Sequence, residues 1–324
     1  MDLRILTTGS VVAVVAALHG HAAADRVELT RAGSRIDVQV GGRAFASYQF
    51  DPSIAKPFFY PVRSAAGASV TRGYPMTTAI AGDERDEPHQ RGMYFAHGDI
   101  NGFDFWGEEA FAKWSDHGAS TFGRTVFRSI DEMQSGDDAG ELGATFDLVT
   151  PSGAIGEELQ QYRFSGAGGS RTIDCTFTIR ATSGPLVLGD TKEGTFAIRV
   201  AKELHPPSGR MLNADGAVGE KRIWGKRAAW VDYSGRVAGE EVGVAIFDHP
   251  QNARTPAYWH ARQYGLLAAN PFGLRQFTGD RQRDGRYTIP AGGSLVLRYR
   301  ALVHHGDASQ ADVAGAYRRM VAQQ

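Results

Sequence analysis

Short runs in which apolar and polar residues alternate, each closed by glycine, recur from residue 27 to residue 304. That period of two limits the chain to half-buried strands. Ile36-Asp37-Val38-Gln39-Val40 leads into Gly41-Gly42 and a second run over 44–50, which is a hairpin signal. Over 171–181, Ile173, Cys175, Phe177 and Ile179 share one face; over 294–304, Leu295, Leu297, Tyr299, Ala301 and Val303 do the same, with Arg298 and Arg300 opposite. Further strands are predicted at 69–74, 93–97, 122–130, 143–150, 158–164, 194–201, 228–233 and 242–247. One helix is predicted, over 308–323, with Val313, Ala316, Tyr317 and Met320 on one side and Asp307 or Ser309 as its cap. Many strands, 40 glycines and no β–α–β alternation predict an all-β fold, a large antiparallel β-sandwich with a C-terminal helix.

The first 24 residues read as a secretory signal. Arg4 supplies the positive start, residues 5–18 are largely apolar, and Ala22-Ala23-Ala24 offers a cleavage site. The expectation is a mature chain of one domain, 25–324, in the periplasm or outside the cell. No later stretch approaches the roughly 20 apolar residues of a membrane span. Cys175, the single cysteine, sits on an apolar strand face and reads as a packed thiol. A net charge of −1 without a basic cluster argues against a nucleic-acid partner. Oligomeric state is not encoded in any pattern.

Chemistry concentrates in residues 83–106, DERDEPHQRGMYFAHGDINGFDFW. On a strand over 93–97, His97 shares a face with Met93 and Phe95, and Asp99 lies just beyond. Three other segments are similarly dense in polar and aromatic groups: 188–194 with Lys192 and Glu193, 248–252 around His249, and 258–273 with Trp259, His260, Tyr264 and Asn270. Loops at sheet ends are where a rigid sandwich exposes function. Convergence of His89, Arg91, His97, Lys192, Glu193 and His260 on one concavity is therefore expected.

His97-Gly98-Asp99 has the spacing of a two-His-one-carboxylate iron site completed by a distal histidine, the basis of a mononuclear metal oxygenase reading. The same spacing recurs at His305-Gly306-Asp307, about what chance gives for ten histidines and 22 aspartates. No serine elbow, P-loop or dinucleotide fingerprint is present. Sugar recognition remains. Carboxylates, amides, Arg and His grip hydroxyls, and aromatic faces stack on the ring.

The segments FFYPVRSAAGASVTRGYP, DEPHQRGMYFAHGDINGFDFW, GDTKEGTFAIRVA, WVDYSG, IFDHPQNARTPAYWHARQYGLLAANPFG and LRYRALVHHG together closely resemble the DUF6807 family, also labelled PmoA-like or "methane oxygenase PmoA". The resemblance spans nearly all of residues 25–324. In the family the first motif reads as a His-Pro-His-His run; here Glu87 and Gln90 flank Pro88-His89. The label implies a membrane oxygenase, whereas this sequence has no spanning segment after its signal. The resemblance implies a secreted β-sandwich, of galactose-mutarotase type, among sugar-catabolic proteins.

The resulting expectation is an exported carbohydrate-active enzyme, a hydrolase or lyase acting on a glycoside or oxidised sugar. His97, Glu193 and His260 are the acid–base candidates. His89, Arg91, Asp99, Asp104, Trp106, Lys192, Trp259, Tyr264 and Asn270 are the substrate-binding candidates. The partner is a small molecule or an oligosaccharide. No cofactor is called for, although a divalent metal stays open. A non-catalytic glycan-binding sandwich is the other alternative.

Overall fold

The computed structural model describes residues 24–114 and 121–323. Of the expected signal segment, residues 1–24, only Ala24 falls within them. Asp25 is tied to the second sheet, its carboxylate accepting from Arg171 Nη1 at 2.9 Å and its N–H donating to Gly166 O.

The alternating runs pair into two eight-stranded antiparallel sheets. The first runs, in spatial order, β1 (Val27–Ala32), β2 (Arg35–Val40), β3 (Arg43–Gln49), β4 (Phe58–Val62), β5 (Met93–His97), β11 (Gly194–Arg199), β16 (Leu266–Asn270) and β15 (Tyr258–Ala261). The second runs β12 (Arg210–Asn213), β13 (Trp230–Val237), β14 (Glu240–Asp248), β18 (Ser294–His305), β9 (Ser170–Arg180), β8 (Gly153–Ala167), β7 (Gly140–Thr150) and β6 (Arg124–Gln134). A short pair, β10 (Leu186–Leu188) with β17 (Tyr287–Ile289), stands apart. Gly41 and Gly42 turn the β2–β3 hairpin at φ of 59° and 72°, a conformation glycine adopts without a Cβ penalty.

The sheets meet through their apolar faces. Phe95 of the first stacks on Phe177 of the second at 4.1 Å, and Phe196 stacks on Tyr299 at 5.1 Å. Ile173, Cys175, Phe177 and Ile179 are buried there, as are Leu295, Leu297, Tyr299 and Val303. Arg300 points away and pairs with Asp174.

Several expectations are corrected. Residues 69–74 form only isolated bridges, Arg63 with Ser69 and Thr71 with Val200. Strands β4, β10, β12, β15, β16 and β17 carry no alternation signal. Every residue of β16 is buried, so it reads as a plain apolar run, and β4 contains Pro61. The C-terminal helix, α3 (Val313–Ala322), begins later than its periodicity indicates. Asp312 caps it, accepting from Gly315 N at 3.0 Å, while Asp307 caps the preceding turn through the N–H groups of Ser309 and Gln310. Val313 and Met320 of α3 pack on Trp230 and Phe247, on the outer face of the second sheet. Besides α3, the described residues hold only short α-helices, α1 (Glu220–Ile223) and α2 (Leu274–Thr278).

Candidate functional site

The outer face of the first sheet carries a second, smaller apolar cluster of Phe58, Tyr94, Ala96, Trp106, Ala197, Leu266 and Ala268. Strand register explains it. Phe58 pairs with Tyr94, Tyr94 with Ala197, Ala197 with Ala268, and Ala268 with His260, so these side chains form one transverse row. The three alanines are covered, with Ile54, Tyr60, Met76 and Tyr264 packed against the cluster.

Lys192, Glu193 and His260 gather at one end. Lys192 Nζ is hydrogen-bonded to Glu193 Oε1, and Glu193 Oε2 lies 3.8 Å from His260 Nδ1. His260 Nδ1 also lies 3.2 Å from Lys192 O, an acceptor only, so in the neutral ring Nδ1 carries the proton and Nε2 is the basic atom. Gly98 makes this arrangement possible. Its N–H donates to Glu193 O at 2.7 Å, and a Cβ there would stand 2.8 Å from Glu193 Cβ.

At the other end Arg91 grips Glu108 through two hydrogen bonds, of 2.8 and 2.9 Å. Lys56, fully buried, donates to Trp106 O at 2.6 Å, lies 3.5 Å from Glu108 and stands 5.1 Å over the Tyr94 ring. Burial pushes the Lys56 ammonium down; nearby Glu108 opposes this. Burial also raises the Glu108 carboxyl, but Lys56 and Arg91 outweigh it and leave the group below its ordinary range.

Between these ends lie two buried polar groups without a partner, the Tyr94 hydroxyl and the Trp106 indole N–H, on rings 4.9 Å apart. Burial pushes the Tyr94 phenol well up, and the charge acting most strongly on it is Glu193. Tyr264 is pushed up to about 12, first by burial and then by Glu193.

The acidic run that opens the densest sequence segment has a structural role. Arg199, with no exposure, donates to Glu84, Asp86 and Gln90 side chains at 2.7–2.9 Å. Arg72, also buried, donates to the carbonyls of Asp86, Glu87 and Gln90 and to the Asp86 carboxylate. Burial and the Arg199 charge lower Arg72 to about 10. The pair clamps residues 84–90 to the sheet, and Tyr264 stacks 4.5 Å from the Arg199 guanidinium.

Of the residues singled out from sequence, Arg91, Trp106, Lys192, Glu193, His260 and Tyr264 come together on this face. His97 does not. It points with Met93 and Phe95 to the opposite face, edge-on to Phe272 at 5.6 Å and away from Glu193 and His260. Its Nε2 donates to Gly189 O at 2.9 Å, Nδ1 is buried without a partner, and burial lowers the ring to about 4. Trp259 is a core residue with its indole N–H given to Ala228 O, so it has no face for stacking a sugar.

Asn270 is buried and spends its amide on Thr191 O and Phe272 N, which positions the loop carrying Lys192 and Glu193. Asp99 accepts from Gly102 N, and Asp104 from Trp106 N and Gly107 N; both form turns. His89 is buried with Nε2 3.6 Å from Glu87. Among the described residues no three His, Cys, Asp or Glu side chains are placed to hold a metal ion, so His97, Asp99 and a distal histidine form no triad there. The sequence reading missed Lys56, Tyr94, Arg199 and Glu108. Tyr94 was legible as the outward position between Met93 and Phe95, whereas a lysine buried at position 56 leaves no local signal.

The fold and site define a two-sheet antiparallel sandwich with a polar–aromatic site on the outer face of one sheet. The chain belongs to the family of unknown function DUF6807, whose model matches residues 35–318. No curated protein matches the sequence. Among solved structures, a galactose mutarotase-like protein from Clostridium acetobutylicum is similar at 10% identity and a TM-score of 0.43, over 86% of this chain and 98% of that one. A galactose mutarotase-like protein from Lactobacillus casei is similar at 10% identity and a TM-score of 0.38, over 86% and 100%. An alpha-galactosidase from Lactobacillus brevis is similar at 8% identity and a TM-score of 0.44, over 88% of this chain and 40% of that one.

Proposed function

We propose that this protein is an exported carbohydrate-active enzyme, a hydrolase or lyase that works by acid–base catalysis on the outer face of its first sheet. The observation that carries this reading is the pair of buried, unpartnered donors, Tyr94 OH and Trp106 N–H, on the same sheet face as a Lys–Glu–His group. An unmet buried donor costs roughly 1–3 kcal/mol, and two side by side are best supplied by a ligand rich in oxygen acceptors. Tyr94 and Trp106 then hold ring hydroxyls or a carbonyl. His260 moves the proton at Nε2 while the Lys192 carbonyl holds its ring at Nδ1, and Glu193, held by the Lys192 ammonium, stabilises the imidazolium.

The test is a screen of the purified chain beginning at Asp25 against glycosides and oxidised sugars, with His260→Ala beside the parent. The expected result is turnover that falls by about 10²–10⁴-fold in the variant with its melting temperature retained. Binding without turnover in the parent would make this a glycan-binding module, and turnover that survives His260→Ala would remove the catalytic assignment. Export belongs to the same proposal, and N-terminal sequencing of protein from the native host should begin at or near Asp25.

A further inference from the structure

We infer that the ligand is an oligosaccharide, because a second sugar subsite continues the same transverse row across β4, β3 and β2; this rests on the carbohydrate reading above. Beyond Tyr94 the register runs to Phe58, then Gln49, then Arg35. Ala197 and Ala268, in the middle of the row, have no exposure, so the second subsite lies at the Tyr94 end, where Phe58 joins the apolar cluster to a neighbouring depression.

Beside the Tyr94 end lies a depression of about 380 Å³, within the range of small-molecule sites, lined by Arg35, Ser47, Gln49, Phe58, Tyr60 and Met76. Its walls combine the two elements that grip a sugar ring. Tyr60 offers aromatic surface, with Phe58 buried in the wall, while Gln49, Ser47 and Arg35 offer donors and acceptors.

The polar side is already ordered. Asp37 accepts from Ser47 Oγ at 2.5 Å and from Arg35 Nε at 3.1 Å, which fixes both side chains. Gln49 Nε2 donates to Tyr60 O at 3.2 Å, which turns its carbonyl oxygen to the other side of the amide. Preorganised groups of this kind lose less freedom when a ligand binds. Phe58 belongs both to this depression and to the cluster around Tyr94 and Trp106, so no structural gap separates the two. Arg35, Ser47, Gln49, Phe58 and Tyr60 all occupy outward positions of their strands.

The experiment is calorimetric titration of the whole chain with glucose, galactose and xylose and with their β-linked tetrasaccharides. Gln49→Ala and Tyr60→Ala are titrated beside the parent, and Tyr94→Phe reports on the first site. Gln49 is only half-buried and at a surface position, so its truncation leaves the fold intact by melting temperature. The expected result is a tetrasaccharide that binds at least tenfold more tightly than its monosaccharide, with that advantage lost in Gln49→Ala and Tyr60→Ala while monosaccharide binding is kept. Equal affinity for the two ligand lengths, or an advantage that survives both variants, overturns the second subsite while leaving the first. Binding that is indifferent to Tyr94→Phe, or no binding by any probe, overturns the carbohydrate reading and the subsite with it.

Discussion

His97 stands in the densest stretch of the sequence, yet its surroundings make it a packed, neutral imidazole. With its ring lowered to about 4 by burial, the folded protein binds fewer protons than the unfolded chain between pH 6.5 and 4. Stability is therefore lost as pH falls through that window, by roughly 3 kcal/mol in full. His97→Ala should lower the melting temperature at neutral pH, because Gly189 O loses its donor, and leave turnover per folded molecule unchanged. Lost turnover at unchanged stability would return His97 to the active site. Glu158 works in the other direction. Burial raises its carboxyl to about 7 against the Gln160 hydrogen bond, so the folded state holds a proton the unfolded chain releases above about pH 4.5. Stability falls as pH rises from there to about 7. Glu158→Gln should raise the melting temperature at pH 8 and change it little at pH 4.5, and an equal shift at both would disprove the buried acid. Neither group announces its state in sequence. His97 is on the face that the strand period predicts, but the period does not say whether that face is a site or the core.

At the scale of elements, the sequence shows where strands are half-buried and is silent where they are not. β9 and β18 alternate cleanly and were legible to within a residue or two. β16 is buried on both faces and shows no period, and it supplies Ala268, the neighbour of His260 in the transverse row. The loop over residues 84–90 is the opposite case, since its charges were legible but their purpose was not. Glu84 and Asp86 serve Arg72 and Arg199, whose partners are more than ten residues away or, for Arg199, more than a hundred. Replacing Arg199 by Met leaves Gln90 without its buried partner and Asp86 with Arg72 alone, and should lower the melting temperature. The variant should also show faster amide exchange over residues 84–90 than elsewhere. Uniform exchange across the chain would mean that Arg199 is not the clamp.

For the molecule as a whole, an antiparallel sandwich closed by a C-terminal helix follows from periodicity and turn residues alone. The site does not, because it depends on register. Phe58, Tyr94, Ala197, Ala268 and His260 come from five strands spread over some 200 residues, and one-residue slips would send alternate side chains to the opposite face. On the proposed function, the Tyr94 hydroxyl is kept unpaired in the fold for a sugar. The direct measurement is the affinity of Tyr94→Phe for the tightest-binding tetrasaccharide, taken with its melting temperature. Removing an unmet buried hydroxyl should leave the melting temperature equal or higher, while affinity falls at least tenfold. A lower melting temperature with unchanged affinity would make the hydroxyl structural and contradict the account.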